Sequence, residues 1–404
     1  MAASEIGSDL QIAFTANEDV RAAIARLGRT EDAQFSPDGR RLVLVGLRRN
    51  RLLILDLEIA LDAERPRVAL TGFLEVASAA LRYPHGAAWI DDWTLAIANR
   101  AGQITIFALP QGRPPATRVK LEPVRSIGGD DADLVKTPGS ISVSPVGMGL
   151  FELLVCNNYV HHVTRLLVDQ RDNYAVVTSE ILLDDGIEVP DGIALSPSGR
   201  WIAVSNHGHH NVFLYRNGEL LNGAGAPHGV LGGIRYPHGL RFAADEMSLL
   251  VADAGTPLVH IFKSEDGDWA GDRDPVKSIP VVSDAVFKRG NYNPQEGGPK
   301  GIALGPDDRL MVVSCEEQPL AFFDISGVLG PTEPVRHHLS NASDVERTRE
   351  TLLRYLSTAR AGMQDAAEAI RRSNDLDIEA LLGSHSWRIT APLRWVRAKL
   401  DAMR

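Results

Sequence analysis

The chain has 404 residues, 44% hydrophobic and 23% charged, and a formal net charge of −10. This is globular composition, and the negative balance argues against a nucleic-acid binder, because no global positive field recruits phosphate. Two cysteines, Cys156 and Cys315, cannot make a disulfide framework and suit a reducing compartment.

The N-terminal stretch MAASEIGSDLQIAF has neither a basic start nor a long apolar run, so no secretory signal is expected. No run of eighteen apolar residues is present, and the expected location is the cytoplasm. Residues 1–29 form an N-terminal segment. Within it residues 11–16 read as a strand able to close a ring, and residues 17–29 as helical or irregular.

From residue 30 a repeat sets in. Related units start at Glu31, Tyr83, Thr137, Val189, Tyr236 and Gly298, roughly every fifty residues. Each opens on a short strand, often entered through Pro-x-Gly, as in YPHG at 83–86 and 236–239, VPDG at 189–192 and GPKG at 298–301. A turn follows, such as SPDG at 36–39 or SPSG at 196–199, with proline presetting φ and glycine supplying positive φ. Two further β-branched and aromatic runs and a more variable fourth complete the unit. Four short antiparallel strands at this period make a propeller blade. The predicted fold is all-β, a six-bladed β-propeller over residues 30–340 with an α-helical C-terminal extension over 341–404. Two insertions break the rhythm. Residues 222–234 are glycine-rich. Residues 284–298 lengthen the path into the sixth unit, as a lid over the mouth or a simple surface insertion.

A propeller brings the start of every innermost strand, and the end of every second strand, to one mouth of the central channel. The starts supply Asp32, His85, Ser140, Asp191, His238 and Lys300. The second-strand ends supply Asn99, Asn157, Asn206, Asp253 and Glu316, and adjacent loops add His161, His162, His207, His209 and His210. Of these, His85, Asn99, Asn157, Asp191, Asn206, His238, Asp253, Lys300 and Glu316 are the candidate ligand-binding residues. His85 and His238 are the candidate general bases. Imidazole, carboxylate and amide groups at one mouth suit a divalent cation, a sugar or a phosphate ligand. Polar mouths are also common in propellers, and Asn or Asp after a strand also serves its own turn. The loop SNHGHHN at 205–211 lacks the paired spacing of a zinc motif.

The unit VPDGIALSPSGRWIAVSNHGHHNVFLYRNG resembles the repeats of NHL, gluconolactonase (SMP-30-like) and YVTN lactonase-like propellers. The matching features are Pro-x-Gly, Ser-Pro-x-Gly and the apolar runs that follow, over about residues 30–330. The resemblance implies the fold and, for the metal-dependent lactonases, one cation (Ca or Mg) held by a carboxylate, an asparagine and an aspartate. Asn157, Asn206 and Asp253 sit at the matching places. No glutamate at the start of the first blade matches, and Glu31 is the nearest.

After about Pro334 the period becomes helical, with a capping-box spacing at Ser343 and Glu346. The last stretch, SHSWRITAPLR at 384–394, resembles a Ser-x-Ser-Trp-Arg-x-Thr-x-Pro-Leu-Arg motif of bacterial glycosyltransferases and methyltransferases of surface-polysaccharide (O-antigen-like) synthesis. Trp387, Arg388, Arg394 and Trp395 are the candidate interaction residues. Basic and tryptophan side chains interleave there, as at an anionic membrane surface or a docking site on a membrane-bound enzyme. The expectation is a non-catalytic binding or scaffold propeller of polysaccharide biosynthesis. It would take a sugar or nucleotide-sugar, meet biosynthetic enzymes and touch the inner membrane peripherally through residues 384–404. The alternative is a sugar-acting enzyme, a lactonase-like hydrolase or a glycosyltransferase, with its site at the mouth.

Overall fold

The computed structural model describes residues 9–61, 64–129, 134–217, 221, 225–291, 295–305 and 307–329. The chain divides into Met1–His338 and Leu339–Arg404, and the described residues all lie in the first unit. The expected helical extension and its motif at 384–394 lie outside them.

The described residues form a six-bladed β-propeller, one sheet per blade. The innermost strands are Thr30–Phe35, Pro84–Asp91, Pro138–Gly147, Pro190–Leu195, Pro237–Phe242 and Pro299–Leu304. Each packs against the next and the sixth against the first, so the ring is closed. Within a blade the pairing is antiparallel from the axis outward, as in Pro138–Gly147, Leu150–Asn157, His162–Asp169 and Ala175–Leu183. The turns follow the sequence signal. Gly39 N–H donates to Ser36 O at 2.8 Å and Gly199 N–H to Ser196 O at 2.7 Å, both glycines at positive φ.

The N-terminal segment spans the seam. Gln11–Ile12 is the outermost strand of blade 6, antiparallel to Ala321–Asp324. Phe14–Ala16 crosses to blade 1 and runs parallel to its outer strand, Arg67–Ala77. Helix Glu18–Leu27 follows, capped by Asn17, and buries Val20, Ala23, Ile24 and Leu27. Ala116–Lys120, from the connection after blade 2's third strand, also joins blade 1's outer strand in parallel. Between blades the sheets bury an almost wholly apolar filling, such as Val43, Ile54, Leu74, Leu95, Ile97 and Phe107 between blades 1 and 2. Burying each such side chain contributes about 1.5–3 kcal/mol.

Candidate functional site at the propeller mouth

Each innermost strand enters through a bulge, seen as a register shift between Pro190 and Gly192, or Thr30 and Ala33. The first residue inside the shift is turned to the axis; in blades 1, 5 and 6 the shift spans two residues. In blades 2, 4, 5 and 6 these are His85, Asp191, His238 and Lys300, all buried. In blade 1 the register makes it Glu31 rather than Asp32. Asp32 points elsewhere in the channel, where it accepts Ala33 N–H, Ala87 N–H and the Arg241 guanidinium at 2.9–3.1 Å. In blade 3 it is Gly139 rather than Ser140, and the vacated space is filled by Asn158: a Cβ on Gly139 would lie 1.5 Å from Asn158 Oδ1.

The second-strand ends show a one-residue offset. Asn99 Oδ1 accepts Arg82 N–H at 3.0 Å, Asn157 Oδ1 accepts Lys136 N–H at 3.0 Å, and Asn206 Oδ1 accepts Glu188 N–H at 2.7 Å. Asp253 accepts Arg235 and Tyr236 N–H, both at 3.0 Å, and meets His260 Nε2 at 3.1 Å. In four blades this residue therefore ties the incoming loop to its own blade. The cation set implied by the lactonase resemblance, Asn157, Asn206 and Asp253, does not fit: its oxygens are taken by backbone donors within three separate blades. In blades 2, 3 and 4 the next residue along meets the axial groups, as Arg100, Asn158 and His207; in blade 5 it is Ala254, and in blade 6 it is Glu316, which follows Cys315 and meets Arg29. Strand side chains alternate sides, so a slip of one residue exchanges mouth for blade interior.

Two groups come from outside the repeat. Arg29, just after the N-terminal helix, bonds Glu31 and lies 3.0 Å from Glu316. Glu296, from the insertion before blade 6, bonds Lys300 Nζ at 2.5 Å and lies 3.6 Å from His207 Nε2. That insertion carries a short helix, Asp284–Gly290, capped by Ser283.

The innermost cluster is tight. Glu31 Oε2 lies 3.6 Å from His85 Nε2, 3.5 Å from His238 Nε2 and 3.5 Å from Lys300 Nζ. Across the axis Asp191 lies 3.7 Å from His85 Nε2 and 3.1 Å from His238 Nε2. Arg100 Nη2 donates to Asp191 Oδ1 at 3.0 Å, and Asn158 Nδ2 donates to the same oxygen. The His85 and His238 rings stack at 5.2 Å. His85 Nδ1 sits 2.7 Å from Gly139 O, which fixes the proton there and leaves Nε2 as the lone-pair nitrogen facing the carboxylates. Burial opposes ionisation of Glu31, yet the cations of Lys300 and Arg29 hold its carboxyl well below the usual range. Asp191 is likewise held low against burial, by the facing histidines wherever they carry a proton and by Arg100 throughout. Burial pushes His85 down to about 3, helped by Arg100, and burial also lowers His238. At neutral pH the centre therefore holds two carboxylates and two neutral imidazoles. A nitrogen titrating near 3 is a poor general base.

Of the loop histidines, His207 alone joins this cluster; its Nδ1 lies 3.9 Å from Asp191 Oδ2 and its ring packs on Tyr236 at 5.0 Å. His161 Nδ1 accepts Val189 N–H, His162 meets Leu134 O, His209 faces Glu188, and His210 packs on Tyr236. Beside the mouth a cavity of about 620 Å³ is lined by Gly28, Arg29, Arg48, Arg49 and Glu316. At the other end of the channel a cavity of about 290 Å³ includes Gln34, Phe35, Trp89, Ile141, Phe242 and Arg241 in its lining.

No family model and no curated protein matches the chain. Among solved structures, the X-ray structure of a candidate gluconolactonase superposes with a TM-score of 0.47 at 14% identity, over 80% of this chain and 96% of that one. A protein of unknown function from Desulfotomaculum acetoxidans superposes with a TM-score of 0.47 at 16% identity, over 74% and 83%. The likeness is one of fold, and the six blades are read directly from the strand pairing.

Proposed function

We propose that the protein is an enzyme that hydrolyses a small, oxygen-rich molecule of sugar-lactone type at the propeller mouth. The observation that carries this reading is the axis itself: in five of six blades the inward residue is a buried ionisable group, Glu31, His85, Asp191, His238 or Lys300. Folding gains nothing from desolvating charge that apolar side chains could replace, so such clusters concentrate at functional sites. His207 is the proton acceptor for the attacking water. It is less deeply buried than His85 or His238 and faces the carboxylates of Asp191 and Glu296. Arg100 stabilises the oxyanion formed at the lactone carbonyl, because its Nε–H is buried without a partner beside Asp191. The test is acid release from a panel of aldonolactones by the full-length protein. His207→Gln and Arg100→Gln should each lower kcat about 100-fold. Release no faster than in buffer across the panel would end the hydrolase reading.

The sequence at 384–394 supports a second reading, in which the propeller is a scaffold of bacterial surface-polysaccharide synthesis. Its mouth would hold a sugar or nucleotide-sugar, and its tail would dock on biosynthetic enzymes or the inner membrane through Trp387, Arg388, Arg394 and Trp395. Removing residues 384–404 should release the protein from those enzymes or from the membrane; unchanged association would sink it.

A further inference from the structure

We infer that the mouth is a metal site of a kind the resemblance does not imply: a mixed imidazole–carboxylate centre for a first-row transition ion, held by Glu31, His85 and His238, with Asp191 as the second carboxylate facing both imidazoles. Three observations point there. First, Glu31 Oε2 and His85 Nε2 are both buried without a hydrogen-bond partner, 3.6 Å apart. With the His85 proton fixed on Nδ1 by Gly139 O, two lone pairs face across that gap. An unpaired buried polar atom is costly, and a cation between the two satisfies both.

Second, the donor spacing fits. Tetrahedral ligands at the zinc–nitrogen and zinc–oxygen distances lie about 3.3 Å from one another. Here Glu31 Oε2 lies 3.6 Å from His85 Nε2 and 3.5 Å from His238 Nε2, and the three donor atoms lie within 4.8 Å of one another. Third, the outer contacts are those that orient ligands. Gly139 O holds the His85 ring, while Arg100 and Asn158 hold Asp191. Spacing alone does not choose the ion, but donor type does. Two neutral imidazoles favour zinc, cobalt, nickel or iron over calcium and magnesium, which take all-oxygen shells. The ammonium of Lys300 stands 3.5 Å from Glu31 Oε2, yet its closer partner is Glu296 at 2.5 Å, so the two charges need not share one place.

The inference is independent of catalysis and its readout is metal binding, so metal binding without lactone hydrolysis would separate the two. Full-length protein, stripped by chelator dialysis, is titrated with Co²⁺ and Zn²⁺, and in parallel with Ca²⁺ and Mg²⁺, by calorimetry and by the visible absorption of bound cobalt. One equivalent of Co²⁺ or Zn²⁺ should bind, at least 100-fold tighter than Ca²⁺. His85→Ala and His238→Ala should each weaken it at least 30-fold, while a double His209→Ala, His210→Ala variant on the exposed loop should bind as wild type. Circular dichroism verifies that each variant is folded, and Glu31→Gln is the substitute if a histidine variant is not. No stoichiometric Co²⁺ or Zn²⁺ binding, equal affinity for Ca²⁺, or loss of binding only in the loop double variant would each overturn the inference.

Discussion

At the scale of the residue, the mouth departs from the rule that buried ionisable groups pair off neatly. His85 stays neutral in the fold down to about pH 3, because burial and Arg100 oppose its imidazolium, whereas an unfolded histidine titrates near 6.5. Below 6.5 the unfolded chain therefore binds a proton that the fold refuses, and stability falls as pH falls. The slope from one such group approaches about 1.4 kcal/mol per pH unit. Glu31 and Asp191 add to the loss lower down. Their folded values are depressed, so the stability they contribute is present above about pH 4 and is lost as pH drops further. Metal-free His85→Gln should accordingly show a shallower decline than metal-free wild type between pH 6.5 and 4.5, with a difference of about 2–3 kcal/mol across that window. Urea unfolding at several pH values measures it, and parallel curves would mean that His85 takes up its proton in the folded state.

At the scale of the element, the Pro-x-Gly entry divides its labour. Its middle residue is aimed at the axis, and its glycine permits adjacent blades to touch. A Cβ on Gly192 would lie 2.0 Å from His238 O, and one on Gly239 would lie 2.6 Å from Lys300 O. These are backbone atoms of the neighbouring innermost strand, which cannot move without dragging a mouth residue with them. Gly192→Ala should cost at least about 2 kcal/mol, as overpacking does. Gly327→Ala, in open space on the short helix Ser326–Leu329, should be neutral or stabilise by up to about 1 kcal/mol. Equal effects in thermal denaturation would show that the inter-blade contact is soft. The same element explains what could be read from the sequence. Turn glycines and β-branched runs specify blades locally, so the ring of six was legible, as were His85, Asp191, His238 and Lys300. Glu31 was not, because Thr30-Glu31-Asp32 carries neither the proline nor the glycine that marks the bulge. Arg100 and Asn158 were missed through a slip of one residue, since Asn99 and Asn157 look like ligands until their backbone donors are seen. Arg29 and Glu296 lie outside the repeat, and no periodicity could bring them to the axis.

At the scale of the whole molecule, a closed ring must be sealed where its ends meet. The innermost strands of blades 6 and 1 pack together there, but the outer part of the seam depends on the N-terminus. Gln11–Ile12 supplies the fourth strand of blade 6, and Asp324 N–H donates to Leu10 O at 2.8 Å. Phe14 packs edge-on against Phe322 at 5.6 Å, and Phe14–Ala16 then pairs with blade 1. One short segment thus bonds to both sides. Without it blade 6 keeps three strands and exposes the backbone edge of Ala321–Asp324, a template for pairing with other chains. The mouth lies at the inner end of the same seam, because Glu31 belongs to the first strand of blade 1 and Lys300 to the first of blade 6, 3.5 Å apart. A chain beginning at Glu18 should fold with a Tm lower by about 5 °C or more and self-associate on heating. It should also bind Co²⁺ more weakly, because the Glu31 side of the site is then less firmly held against the Lys300 side. Calorimetry and light scattering read the first two effects, and the cobalt titration reads the third. An unchanged Tm together with unchanged cobalt affinity would mean that the innermost strands alone seal the ring.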